Sequence, residues 1–229
     1  MLQLFYLESL TSPVLTGENA HHADRVLRMK VGEQLLLSDG NGSWAKSEIT
    51  SITKKEVELN IIESGYEPKS DKEISVLQAI TKNDRAKEAV ELLTAAGVSN
   101  IYPWQATRSI GKESEKWQVT AVEASKQSRR FYIPKVSERV ETKEAIALFS
   151  QFDQILICHE SAEQKISEVV KDSSKTLIVI GPEGGITESE LSEFSSAGGK
   201  IIKLGRSVLR SAHAGIAAIS AVSALMKVW

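Results

Sequence analysis

The chain reads as an α/β protein, a mostly parallel sheet with helices on both faces, preceded by a small β-rich domain. Three observations predict this. Short apolar runs separated by turn residues fill positions 1–68, strands and helices alternate over positions 72–229, and two glycine-marked loops near the C-terminus each join an apolar run to a helix-like stretch.

In the first part the apolar runs are Leu2 to Leu7, Leu35 to Leu37, Trp44 to Ile52 and Val57 to Ile62, with the turn Asp39-Gly40-Asn41-Gly42 between the second and third. His21 to Met29 reads as a helix, and Ser64 to Asp71 has linker composition. Beyond it come a strand Ile74 to Ile80, a helix Asp84 to Ala96, a strand Ile101 to Trp104 and a helix Lys112 to Arg130. A helix Thr142 to Phe149, a strand Gln154 to Cys158 and a helix Ala162 to Val170 follow. Last are the strands Leu177 to Ile180 and Lys200 to Lys203, each with its loop and helix.

Composition narrows the class. A net charge of -2 gives no reason to expect wholesale nucleic-acid binding, although a local basic face is compatible with it. Cys158 is the only cysteine, which rules out an intramolecular disulfide and a zinc site built on several thiolates. There is no long apolar stretch, and Met1 to Leu10 lacks a basic n-region and cleavage site, so a soluble, cytoplasmic protein with no membrane contact is expected. His21 and His22 point apart on a helix and lack ligand-spaced partners, so no metal is expected. No Gly-Lys-Ser/Thr sequence supplies a P-loop.

The two loops carry the functional signal. Gly181-Pro182-Glu183-Gly184-Gly185 and Leu204-Gly205-Arg206-Ser207-Val208-Leu209-Arg210 both leave strands at the carboxyl edge of the sheet, where open α/β sheets bind ligands. Glycine lets backbone approach a ligand closely, and Pro182 stiffens the turn. A compact small-molecule site is one reading; glycines that serve only tight turns are the other.

At this point the chain resembles a known family. Ile180 to Ile186, Leu204-Gly205, Val208-Leu209-Arg210 and the helix from Ala214 to Leu225 are similar to segments of the bacterial 16S rRNA uridine N3-methyltransferases, of the SPOUT class. His21-His22-Ala23-Asp24-Arg25-Val26-Leu27-Arg28-Met29-Lys30-Val31-Gly32, the turn at Asp39, Lys87 to Gly97, and Gln127-Ser128-Arg129-Arg130 with Pro134 extend the likeness in the family's order. The resemblance implies a PUA-like N-terminal domain over residues 1–68 that helps hold RNA, and a domain over residues 72–229 with a C-terminal trefoil knot that binds S-adenosyl-L-methionine. It also implies a homodimer with the C-terminal helix at the interface. The small residues Ala214, Gly215, Ala217, Ala218, Ser220 and Ala221 suit such packing, although a helix buried within one chain has the same pattern.

On that resemblance, Ile180, Gly181, Pro182, Glu183, Gly184, Gly185, Leu204, Gly205, Val208, Leu209 and Arg210 are expected to bind the cofactor, with Cys158-His159-Glu160 nearby. The expected reaction methylates N3 of a uridine in 16S rRNA, within the small ribosomal subunit. Uridine N3 carries a proton, so either a base removes it or a cation stabilises the developing anion. Arg210 is the candidate catalytic cation, with a structural pair to Glu183 as its other reading; His213 is a candidate base or a packing residue. The family pattern is Arg-Thr-Glu-Thr-Ala, whereas this chain has Arg210-Ser211-Ala212-His213-Ala214. No carboxylate stands at 212, which keeps two alternatives in view: a knotted methyltransferase of another RNA site, and a non-catalytic RNA-binding assembly protein.

RNA would be held by Arg25, Arg28, Lys30, Arg108, Arg129 and Arg130. Between Gln105 and Lys135, Arg108, Lys112, Lys116, Lys126, Arg129, Arg130 and Lys135 outnumber Glu113, Glu115 and Glu123. Phe131 and Tyr132 are candidates for stacking on bases. Solvated helix faces account for any one of these charges; their coincidence with the family's RNA-handling segments points to phosphate contacts.

Overall fold

The computed structural model describes residues 2–111 and 114–229; Lys112 and Glu113 lie outside the described residues. The chain divides into two units, Met1–Lys69 with Ser125–Ile133, and Ser70–Ala124 with Pro134–Trp229.

In the first unit β1 (Leu4–Tyr6), β2 (Val14–Thr16), β3 (Gln34–Ser38), β4 (Ser43–Ile52) and β5 (Glu56–Tyr66) form a sheet in the order β1-β3-β4-β5-β2. Inward side chains Phe5, Leu15, Leu35, Leu37, Ala45, Ile49 and Val57 make its core. The β3–β4 turn is held by Asp39, whose Oδ1 accepts from the Asn41 N–H at 2.7 Å and the Ser43 N–H at 3.1 Å. The strand β5 extends into the start of the segment expected as linker, taking Ser64 to Tyr66, because it pairs with β4 as far as Tyr66 opposite Ser43. Gly65 makes this possible: a Cβ there would lie 2.7 Å from the Trp44 ring.

The helix expected over His21 to Met29 is two short pieces, α1 (Gly17–His21) and a π-helical turn His22–Val26. Arg28 then takes a left-handed backbone, φ 54°, and ends it. The segment Ser125–Ile133 completes the unit. The Tyr6 hydroxyl donates to the Arg130 carbonyl at 2.5 Å, the Gly42 N–H donates to the Phe131 carbonyl at 2.9 Å, and the Phe131 ring stacks on Trp44 with centroids 5.8 Å apart.

The second unit contains β6 (Glu73–Ala79), α2 (Asn83–Ala95), β7 (Asn100–Gln105), α3 (Trp117–Ser128), β8 (Lys135–Val136), β9 (Val140–Glu141), α4 (Thr142–Leu148), β10 (Gln154–Cys158), α5 (Ile166–Val169), β11 (Lys175–Ile180), α6 (Glu188–Ser196), β12 (Lys200–Ile202) and α7 (Ser211–Leu225). Helix α3 crosses the division, its last residues belonging to the first unit. It begins at Trp117, later than expected, and α5 is one turn where Ala162 to Val170 was expected as a helix.

The sheet order is β12-β10-β11-β6-β7-β8, with β9 also on β7, and every pair is parallel among the described residues. Both faces are covered, as continuous apolar strands require. Ile74, Val76, Leu156, Ile178 and Ile180 face Val90 and Leu93 of α2, Ile166 of α5, and Ala218, Ile219 and Val222 of α7. Leu77, Ala79, Ile155, Ile157, Leu177 and Val179 face Ala145 of α4 and Leu191 and Phe194 of α6. Gly215 lets α7 approach α2; a Cβ there would lie 2.7 Å from Leu93 Cδ2.

Candidate active site

Strand register builds the site. Cys158 pairs with Ile180 on one side and Ile202 on the other, so β10, β11 and β12 end level and their three loops leave the sheet together. The loop after β11 turns tightly: the Gly185 N–H donates to the Pro182 carbonyl at 2.9 Å, and Gly185 adopts φ 75°, which favours glycine. Gly181 is bare for a second reason, since a Cβ would fall 2.7 Å from Ile186 Cγ1. Thr187 then caps α6, its hydroxyl accepting from the Glu190 N–H at 3.2 Å.

Ser211, at the start of α7, ties the loops to the sheet. Its hydroxyl donates to the Gly181 carbonyl at 2.7 Å and accepts from Gln78 Nε2 at 2.9 Å. Gln78 is fully buried in β6 opposite Ile180. Sequence reading missed both residues; a buried amide in an apolar strand was the available signal.

Between the loops lies a cleft of about 510 Å³, lined by Ile180 to Ile186, Cys158 to Glu160, Val208 to Ser211, Ala214, Arg85, Arg108 and Glu188. An adjoining cavity of about 140 Å³ shares Cys158 to Glu160, Val208, Leu209 and Ala214, and adds Leu204 and Gly205. The structure therefore brings every expected cofactor residue to one of two joined cavities. Their size and mixed lining suit a nucleoside-sized ligand. The backbone of a glycine loop and the apolar side chains Leu204, Val208 and Leu209 fit an adenosyl group bearing a small charged tail.

The charged groups are arranged differently from the expectation. Glu183 pairs with Arg85, Nη1 to Oε1 at 3.3 Å, and not with Arg210. Arg108, expected on the RNA face, lines the cleft and donates from Nη1 to the Gly184 carbonyl at 3.0 Å. Arg210 lies at the exposed rim as the residue before α7, and its side chain forms no ion pair among the described residues. His213 is not a cleft residue; its Nε2 meets Glu88 Oε1 of α2 at 3.2 Å. Ala212 is buried, 4% exposed, where the family pattern has glutamate. Burial pushes the Cys158 thiol up to about 12, so it stays neutral and is no nucleophile at neutral pH.

In the first unit Arg25, Arg28 and Lys30 are exposed, Arg25 pairing with Asp24 at 3.0 Å. Arg129 is half-buried with φ 53°. Arg130 is half-buried too, and burial lowers its guanidinium pKa while Tyr6 and Glu67 oppose that shift. The two aromatic residues expected to stack on bases already have partners: Phe131 lies on Trp44, and the Tyr132 hydroxyl is 2.8 Å from that of Tyr66. Among the described residues there is no cluster of metal-ligating side chains, and no helix is long and apolar enough to cross a membrane.

Comparison with known proteins places this geometry. Residues 68–223 match an RNA methyltransferase domain, and residues 15–62 an RNA methyltransferase PUA domain. The ribosomal RNA small subunit methyltransferase E of Mycobacterium bovis is 31% identical, over 99% of this chain and 93% of its own. That of Bacillus subtilis is 30% identical, over 91% and 88%. Among solved structures, the ribosomal RNA small subunit methyltransferase E of Neisseria gonorrhoeae, bound to S-adenosylmethionine, superposes with a TM-score of 0.90 at 28% identity over 98% of each chain. A Legionella pneumophila structure with bound S-adenosylmethionine gives 0.89 at 26% identity, again over 98% of each chain. The architecture is thus that of the SPOUT methyltransferases with an N-terminal PUA domain. With a parallel sheet whose level carboxyl ends open into a nucleoside-sized cleft, the chain belongs to the ribosomal RNA small subunit methyltransferase E family.

Proposed function

We propose that this protein transfers a methyl group from S-adenosylmethionine to N3 of a uridine in the 16S rRNA of the small ribosomal subunit, acting as a cytoplasmic homodimer with a knotted C-terminal domain. The observation that carries the reading is the pair of joined cavities at the ends of β10, β11 and β12, lined by the glycine loop and by Leu204 to Arg210. Relatives matching nearly the whole chain hold S-adenosylmethionine.

The bound donor supplies an electrophilic methyl group on a sulfonium, which needs an in-line nucleophile and no metal. The chain's part is to hold and orient. The turn from Gly181 to Gly185 and the apolar Leu204 and Leu209 enclose the adenosyl end. N3 must lose its proton before its lone pair can attack, and negative charge then spreads to the uracil oxygens. Arg210, at the cleft rim and without an ion pair among the described residues, stabilises that charge through its guanidinium fork. Alanine at 212 offers no carboxylate to take that proton, and His213 lies outside the cleft lining, against Glu88. Arg25, Arg28, Lys30 and Arg129 contact phosphates and hold the RNA in place.

Mass mapping of rRNA from cells with and without the gene tests the reading. Loss of one N3-methyluridine is expected; an unchanged map would overturn the assignment. A sedimentation mass of one chain would remove the homodimer.

A further inference from the structure

Glu190 is almost wholly buried, 3% exposed on α6, yet no basic side chain pairs with it among the described residues. Its charge is met by hydroxyls and backbone N–H groups. Oε1 accepts from the Thr107 N–H at 2.8 Å, the Thr107 hydroxyl at 3.0 Å and the Thr142 hydroxyl at 3.2 Å. Oε2 accepts from the Thr187 N–H at 3.0 Å and the Thr187 hydroxyl at 2.8 Å.

These donors come from three places: the loop after β7, the start of α4, and the exit of the glycine loop. Thr107 precedes Arg108, whose guanidinium reaches the Gly184 carbonyl at 3.0 Å and whose Cβ is the nearest neighbour a Gly184 side chain would meet, at 3.1 Å. The glycine loop is therefore held at Gly181 by Ser211, at Gly184 by Arg108 and at Thr187 by Glu190. Glu190 makes the last of these ties itself and holds Thr107, the residue next to the Arg108 that makes the second. An ionised acceptor with five donors is hard to replace, because neutralising it leaves buried donors without partners.

We propose that Glu190 is a positioning residue for the methyl-donor pocket, acting through Thr107 and Arg108 on one side and Thr187 on the other to hold the glycine loop in its binding shape. This rests on the methyl-donor reading of the cleft. A merely structural role predicts that all three threonines matter alike. A positioning role separates them, because Thr142 reaches the same oxygen from α4 without touching the cleft lining.

The test is calorimetric titration of full-length protein with S-adenosylmethionine, alongside thermal unfolding. Glu190→Gln, which turns one acceptor into a donor facing other donors, is expected to weaken binding by about tenfold or more. Thr107→Val keeps the backbone bond and loses the hydroxyl, and is expected to weaken it about three- to tenfold. Thr142→Val is expected to lower Tm and leave Kd unchanged. A folded Glu190→Gln variant binding within about twofold of wild type would overturn the proposal. Equal losses in the Thr107 and Thr142 variants would do the same, and this comparison decides the matter if Glu190→Gln does not fold. Absence of binding by the wild type would overturn the methyl-donor reading itself, and the positioning role with it.

Discussion

Arg210 and Arg129 show how a single residue's surroundings separate function from stability. Arg210 sits exposed at the cleft rim with no ion-pair partner among the described residues, so its removal costs the fold little. Arg210→Ala is expected to reduce single-turnover rate by about a hundredfold, the size of effect seen when one charge-stabilising donor is lost, while cofactor Kd changes much less. Equal rates in the two proteins would remove Arg210 from the chemistry. Arg129 occupies a left-handed position after α3, φ 53°, where glycine is the usual residue. Relief of backbone strain and the added chain entropy of glycine roughly cancel, so Arg129→Gly is expected to shift stability by no more than about 0.5 kcal/mol. Its affinity for rRNA should fall all the same, and a large drop in Tm would show the side chain to be structural instead. Arg108 marks the limit of reading charges along the chain: grouped by sequence with an RNA-facing basic segment, it is placed by its loop at the cleft.

At the scale of elements, the strand ends decide the site. Loops leaving β10, β11 and β12 at one level converge, and a small change in one of them alters the pocket the three share. Gly181→Ala would press a methyl group against Ile186, and overpacking of this kind costs about 1–3 kcal/mol. Lower Tm together with weaker S-adenosylmethionine binding is the expected pair of results; unchanged binding would mean that the loop adapts. The long parallel strands were legible in sequence because apolar runs bounded by turns leave few alternatives, and Gln154 to Cys158 has the bounds expected of it. The short helices were not. The pattern at Ala162 to Val170 supports only one turn, Ile166–Val169, and the π-helical turn at His22–Val26 has no periodicity that a sequence window detects. Strand β5 takes in the start of a segment of linker composition, Ser64 to Tyr66, because pairing with β4, which sequence does not display, outweighs local preference.

For the molecule as a whole, a buried carboxylate with no cationic partner among the described residues makes stability depend on acid. Burial raises the pKa of Glu190, but the hydrogen bonds from Thr107 and Thr187 outweigh it and hold the pKa below the ordinary value of 4.5. A depressed folded pKa contributes stability above the unfolded value and loses it as pH falls through the folded one. Thermal unfolding should therefore show a component of stability constant above about pH 5 and declining below pH 4.5, smaller in Glu190→Gln. An identical acid limb in both proteins would show that other carboxylates set it.

Sequence by itself determined the class of fold and the position of the two glycine loops, because apolar periodicity and glycine placement are local properties written directly in the chain; the cofactor-binding reading of those loops came through the family resemblance. Tertiary structure alone decided which side chains and segments meet. It paired Glu183 with Arg85, His213 with Glu88, and Phe131 with Trp44, brought Arg108 to Gly184, and gave Ser125–Ile133 to the N-terminal unit. Each of these is a contact between residues distant in sequence, set by strand order and register, which no local pattern encodes.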